Sequence, residues 1–227
     1  MKVLTTAIVA DIRNKLNGTV FAKNRYGLYA RTKTTPTNPQ TTEQQANRAA
    51  FGNVSSGWRG LTQDQRNAWI AAATNFPITD IFGNTHFLAG NALYTRLNRN
   101  LEAIGQALIT LPPTPVAIPP ATAISLLADV SDTDLTIGVD TATQPAGFTT
   151  LIYATPLIIP SRLYVKNRLR QIGTAAIATS AIDAYSLWNT RFGTLIAGQR
   201  ITVRIALVSN TTGQMGVPSE VTTIVVA

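Results

Sequence analysis

Leu111-Pro112-Pro113-Thr114-Pro115-Val116-Ala117-Ile118-Pro119-Pro120 divides this chain of 227 residues into two differently patterned parts. Five of the nine residues from Pro112 to Pro120 are proline, a composition that favours extended polyproline geometry. Residues 111–121 therefore read as a stiff linker. Before it, apolar residues recur at helical spacing; after it, they alternate with a period of two. That switch predicts an α+β chain of two domains, with a helical unit over 41–110 and a β-sandwich over 122–227.

Downstream, a strand is expected over Gln199–Ser209, where Gln199-Arg200-Ile201-Thr202-Val203-Arg204-Ile205-Ala206-Leu207-Val208 alternates almost ideally. Further strands are expected at Ala123–Val130, Asp134–Asp140, Thr149–Thr155, Ser161–Ile172 and Ser219–Val226, separated by Gly, Pro, Asn and Asp. That pattern suits an antiparallel sandwich. A helix-like insert stands near Ala181–Trp188.

The proline-rich entry, the strand rising after Leu195-Ile196-Ala197-Gly198 and the ending Gly213…Val217-Pro218-Ser219-Glu220-Val221 together resemble a fibronectin type III (Ig-like) domain. In that family a corner tyrosine usually stands where this chain has Ile201, so its buried hydroxyl bond is missing here. The resemblance implies a fold and no particular ligand.

Upstream, Thr41 and Thr42 each offer a capping box, with Gln44 and Gln45 three residues on. Ala46, Ala50, Val54 and Trp58, with Phe51 beside them, predict the buried face of a first helix. A second capping box, Thr62-Gln63-Asp64-Gln65, opens a helix carrying Trp69, Ala72 and Ala73, which stops before Pro77. A small hairpin is expected over Ile78–Leu88, turning at Gly83-Asn84. The third helix runs from about Asn91 to Ala107, with Ala89, Leu93, Leu97, Leu101, Ile104 and Leu108 on its inner stripe.

Residues 1–40 form a basic N-terminal arm. Between Asp11 and Glu43 there is no acid, against six cations: Arg13, Lys15, Lys23, Arg25, Arg31 and Lys33. Thr19–Lys23 and Tyr26–Arg31, separated by Asn24-Arg25, predict a β-hairpin. Arg13, Lys15, Lys23, Arg25, Tyr26, Tyr29, Arg31 and Lys33 are the candidate partner-docking residues, combining cations with aromatic faces.

The net charge of +8 is unevenly placed. Residues 1–111 hold 12 Lys and Arg against 5 acids, and residues 112–227 hold 7 against 6. An anionic partner surface is expected to meet the N-terminal half. Charged residues make up only 13% of the chain, below the roughly 25% usual for globular proteins. Such a neutral surface suits burial against neighbours in an assembly.

Catalytic chemistry finds little purchase in this sequence. His86 is the only histidine, and no serine stands in a Gly-x-Ser-x-Gly elbow. Cysteine is absent, which excludes disulfides and thiolate metal sites. Asp129, Asp132 and Asp134 lie close together but without the register and terminal Glu of a calcium loop, and so read as a turn. No glycine pattern forms a phosphate loop. The expectation is a protein without enzymatic activity, cofactor or metal. No apolar run approaches the roughly 20 residues of a membrane span. Met1–Ala10 lacks a clear small-x-small cleavage site, so a secreted adhesion module is disfavoured.

Four motifs, Lys15–Phe21, Asn24–Gly27, Asn38–Thr41 and Arg48–Phe51, are joined by Trp58-Arg59-Gly60-Leu61-Thr62 and Arg66-Asn67-Ala68-Trp69. In that order they resemble a widespread, poorly characterised family of phage and prophage proteins, across about residues 12–108. The resemblance implies a location in the virion and a structural role. The first choice is an auxiliary or decoration (minor) capsid protein, present in many copies and docked through its basic arm onto a major capsid or connector protein. A connector or tail-associated position is an alternative. Trp58–Ala73 also resembles part of an HMG box, so a non-specific DNA-binding or packaging protein is the competing class, with nucleic acid as a weak partner of the basic hairpin.

Overall fold

The computed structural model describes residues 14–24, 27–79, 82–140, 146–162, 164–176 and 181–227. Among these residues it is a mixed α+β structure with four α-helices and several antiparallel sheets. The chain divides into two compact units, Met1–Gln45 and Ala46–Ala227.

The first unit is built on a three-stranded antiparallel meander of β1 (Asn14–Leu16), β2 (Thr19–Asn24) and β3 (Gly27–Thr32). The expected hairpin is its β2–β3 pair, with Phe21 opposite Ala30 and Val20 opposite Arg31. β1 is an addition to that expectation. It pairs with β2 across the two-residue turn Asn17-Gly18, where Asn17 adopts φ 49°, a left-handed conformation that asparagine tolerates.

In the second unit, α1 (Thr42–Gly60) from Ala46 onward, α2 (Gln63–Ala72) and α3 (Gly90–Ala103) enclose a core of Val54, Leu61, Trp69, Ala73, Phe76, Leu93, Tyr94 and Leu97. Thr41 caps α1, accepting from Gln44 N at 3.3 Å. The expected box at α2 is complete: Thr62 Oγ1 accepts from Gln65 N, and Gln65 Oε1 accepts from Thr62 N at 2.9 Å.

The inner face expected for α1 holds only at its C-terminal end. Val54 is buried and Trp58 partly so, whereas Ala46 and Phe51 are exposed. With 19 residues against 14 in α3, α1 outruns the helix that would cover it.

α3 also ends earlier than expected. Gly105 takes φ 73°, its N–H donates to Glu102 O, and Gln106 N donates to Leu101 O at 2.9 Å. This is a glycine-terminated Schellman cap, and it turns the chain back over the helices. Buried Asn98 clamps the returning segment: its Nδ2 donates to Ile109 O, and its Oδ1 accepts from Ile109 N at 2.7 Å. Trp69 Nε1 donates to Thr110 O at 2.9 Å. The hairpin of β4 (Ile78–Thr79) and β5 (Thr85–His86) forms as expected, with Gly83 at φ 85° in the loop.

Beyond the prolines lie β6 (Ala123–Asp129), β7 (Asp134–Val139), β8 (Phe148–Ala154), β9 (Arg170–Ala176), β10 (Ala181–Asp183), α4 (Tyr185–Phe192), β11 (Arg200–Ser209) and β12 (Ser219–Ile224). They form a three-stranded sheet in the order β10-β7-β6 and a four-stranded sheet in the order β12-β11-β8-β9. The two sheets share one core. Ile201, Val203, Ile205 and Leu207 point into it from alternate positions of β11, meeting Leu135, Ile137, Ile152 and Trp188.

Two expectations shift here. The strand placed at Ser161–Ile172 begins only at Arg170, because the chain before it closes into a 3-10 turn, Lys166–Arg168. The helix-like insert resolves into short β10 followed by α4. Trp188 of α4 fills the core and donates through Nε1 to Thr155 O at 3.0 Å.

The proline segment contains neither helix nor strand, yet it does not stand free. Val116 N donates to Gln214 Oε1 at 2.8 Å, and Ala121 N donates to Val217 O at 3.2 Å. The β11–β12 connection also meets α3 directly: Asn100 Nδ2 donates to Gly213 O at 2.8 Å. Gly213, at φ 69°, lies so close to the Leu97 carbonyl that a Cβ would collide with it.

Candidate docking surface

Register on the N-terminal sheet decides which candidate residues act together. In an antiparallel ladder, residues directly opposite share a face, and neighbours along a strand alternate. Lys15, Val20 and Arg31 form one cross-strand row, and Ala22 and Tyr29 form the next on the same side. Lys33 N donates to Gly18 O at 2.7 Å, which continues the ladder and sets Lys33 two positions beyond Arg31.

One face thus carries Lys15, Tyr29, Arg31 and Lys33 around Val20 and Ala22. The cations are exposed and Tyr29 is half-buried. Lys15 and Arg31 stand two strand spacings apart, about 10 Å, close to the roughly 8 Å Debye length at physiological salt. Their fields therefore overlap, and the face acts as one positive patch.

Lys23 separates from the set. It lies with Phe21 and Leu28 on the opposite face, which also holds Leu16 and Ala30. Arg13, Arg25 and Tyr26 lie outside the described residues. The missed strand had a legible signal, since Asn-Gly between short polar–apolar runs is a strong hairpin mark. Without β1, the Lys15–Val20–Arg31 row cannot be seen.

Two aspartates of the β6–β7 turn are engaged locally. Asp129 Oδ1 accepts from Ser131 Oγ at 2.7 Å and from Ser131 N at 2.8 Å. The Ser131 hydroxyl holds its carboxyl below the usual range, with help from the Ser131 and Asp132 amides and against partial desolvation. Asp134 accepts from Thr136 Oγ1 at 2.5 Å. These aspartates build the β6–β7 turn. Among the described residues no three His, Cys, Asp or Glu side chains gather as a metal site. His86 is exposed at the hairpin edge. No described helix is long and apolar enough to cross a membrane.

Trp58 and Trp69 are core residues of the helical part. Their rings lie 5.4 and 5.2 Å from that of Tyr94, and Trp69 is fully buried. A cleft of about 230 Å³ between Phe76, Leu93, Leu97 and Met215 is edged by Arg96, Asn75 and Gln214. It holds no acid or nucleophile. No protein-family model matches the sequence, and no curated protein matches it.

Proposed function

We propose that this chain is a non-enzymatic structural component of a phage virion, an auxiliary or decoration protein that docks through the basic face of its N-terminal sheet. The observation that carries the reading is the Lys15–Val20–Arg31 row, flanked by Tyr29 and Lys33, in a sheet whose sequence contains no acid. A flat positive face suits an acidic protein surface, where complementarity acts mainly on specificity and association rate. Strand addition at an open edge of the sheet supplies backbone hydrogen bonds in the same contact. The partner in this reading is a major capsid or connector protein, met in many copies.

The seven strands after the prolines support a fibronectin type III-like sandwich. A three-stranded and a four-stranded antiparallel sheet, with β11 central and β12 at its edge, is the division such a domain requires. In this reading Trp188, tied to Thr155, secures the corner that a tyrosine secures in that family.

The test is incorporation into purified virions, measured by quantitative proteomics. Lys15→Glu combined with Arg31→Glu should abolish incorporation, while Lys23→Glu, on the opposite face, should leave it near wild type. Equal loss from both variants would sink the face assignment. Duplex DNA should bind only through non-specific, salt-sensitive contacts, with Kd of about 10⁻⁴ to 10⁻⁶ M near physiological salt. Sub-nanomolar binding would favour the packaging alternative instead.

A further inference from the structure

The end of the second unit that carries the β6–β7 turn has a charge arrangement the core does not require. Four segments meet there: that turn, the β8–β9 connection, the α4–β11 connection and the C-terminal residues. Backbone bonds join them. Ile158 and Arg200 exchange hydrogen bonds of 3.0 and 2.8 Å, Gly198 N donates to Val225 O, and Val226 N donates to Ala128 O, both at 2.9 Å. The Arg200 guanidinium donates to Arg162 O at 3.0 Å, holding the β8–β9 connection in place.

On the side of the three-stranded sheet stand Asp129, Asp132, Asp134 and Asp183. On the side of the four-stranded sheet stand Arg162, Lys166, Arg168 and Arg170. Asp183 accepts from Tyr185 N at 2.9 Å, and Arg170 donates to the carbonyls of Asn167 and Leu169. None of these eight charges has an oppositely charged partner among the described residues.

Large aliphatic side chains are exposed on the same segments. Ile196 is 57% exposed on the segment that crosses from α4 to the four-stranded sheet. Val226, 48% exposed, stands where the C-terminal residues pass from β12 to β6. Ile159 is 67% exposed beside the Ile158–Arg200 bridge.

An end that exposes aliphatic residues and carries an acidic flank on one side and a basic flank on the other is complementary to itself. A two-fold rotation sets the acids of one copy against the cations of the next and brings the aliphatic residues together. A foreign partner would have to carry both signs at the same separation, whereas a second copy of this chain carries them by construction. We propose that this end is a two-fold interface between two copies of the protein. The interface uses none of the residues of the N-terminal docking face.

Sedimentation of the full chain across the micromolar range tests the interface. Wild type should dimerise, and added salt should shift it toward monomer. Lys166→Glu with Arg168→Glu leaves the basic flank with no net charge, and Asp132→Lys with Asp134→Lys does the same to the acidic flank. Each double variant alone should be monomeric, and an equimolar mixture should recover the dimer. Ile196→Asp, at an exposed position, should also lower the dimer fraction by at least tenfold in affinity, which keeps the test open if a charge variant misfolds by circular dichroism. A wild type that stays monomeric, a dimer that survives in both charge variants, or a mixture that fails to reassociate would each overturn the proposal. Virion incorporation is read separately, so failure here leaves the docking face standing.

Discussion

Replacing Gly57 by alanine asks whether Tyr94 is locked by the helices around it. In the interior of a helix this change ordinarily stabilises by about 0.5–1 kcal/mol. Here the new Cβ would stand 2.5 Å from Tyr94 Oη, with Leu108 Cδ1 at 3.5 Å. The tyrosine has little room to yield, because it is buried against Trp58 and edge-on to Trp69. Overpacking of this kind costs about 1–3 kcal/mol, so Gly57→Ala should be net destabilising by about 0.5–2 kcal/mol.

Tyr94→Phe removes the obstructing oxygen and leaves Cζ at 3.6 Å, an ordinary contact. On that background the same alanine should stabilise by about 0.5–1 kcal/mol. Urea denaturation of the four proteins, followed by tryptophan fluorescence, gives the coupling energy. It should be about 1–3 kcal/mol, against the roughly 0.3–0.5 kcal/mol scatter of independent sites. Additive effects would refute the claim that Tyr94 is held in a rigid slot.

Trp69→Ala should cost about 3–5 kcal/mol, a large share of a domain stability of about 5–15 kcal/mol. Virion incorporation should fail with it through unfolding; a variant that melts like wild type yet no longer attaches would make Trp69 a contact residue. Burial raises the hydroxyl pKa of Tyr94, and it raises that of Tyr153 despite the opposing pull of Arg204. Both groups therefore contribute stability that is complete below the unfolded value of about 10 and is lost as pH rises through their folded values. Urea midpoints measured from pH 8 upward should fall along an alkaline limb that Tyr94→Phe with Tyr153→Phe flattens, and an unchanged limb would contradict this.

Much of the fold was legible because it depends on local pattern. The alternation of Arg200–Val208 predicts β11 to within a residue at its start, and Thr62-Gln63-Asp64-Gln65 predicts the cap of α2. What escaped depends on distant partners. Nothing near Ala46 or Phe51 reveals that α3 is too short to cover them, so the amphipathic stripe predicts a burial that the structure does not provide. β10 is three residues long and exists only through its pairing with β7. The candidate docking residues were legible as a composition, but their division between two faces was not. That division follows from a register fixed by β1, whose Asn17-Gly18 turn was present in the sequence and unused.

The contact of Gly213 with Leu97 bears on aim. β11 is ten residues long, about 33 Å at strand spacing. Over that lever, a swing of about 10° at a free proline hinge would carry the far end about 6 Å, more than the reach of a charge pair. With Asn100 bonded to the Gly213 carbonyl and Gln214 bonded to Val116, the hinge is braced at two points. Whatever orients the three helices thereby orients the charged far end. Side chains larger than glycine at position 213 would loosen that pointing before they unfolded either sheet.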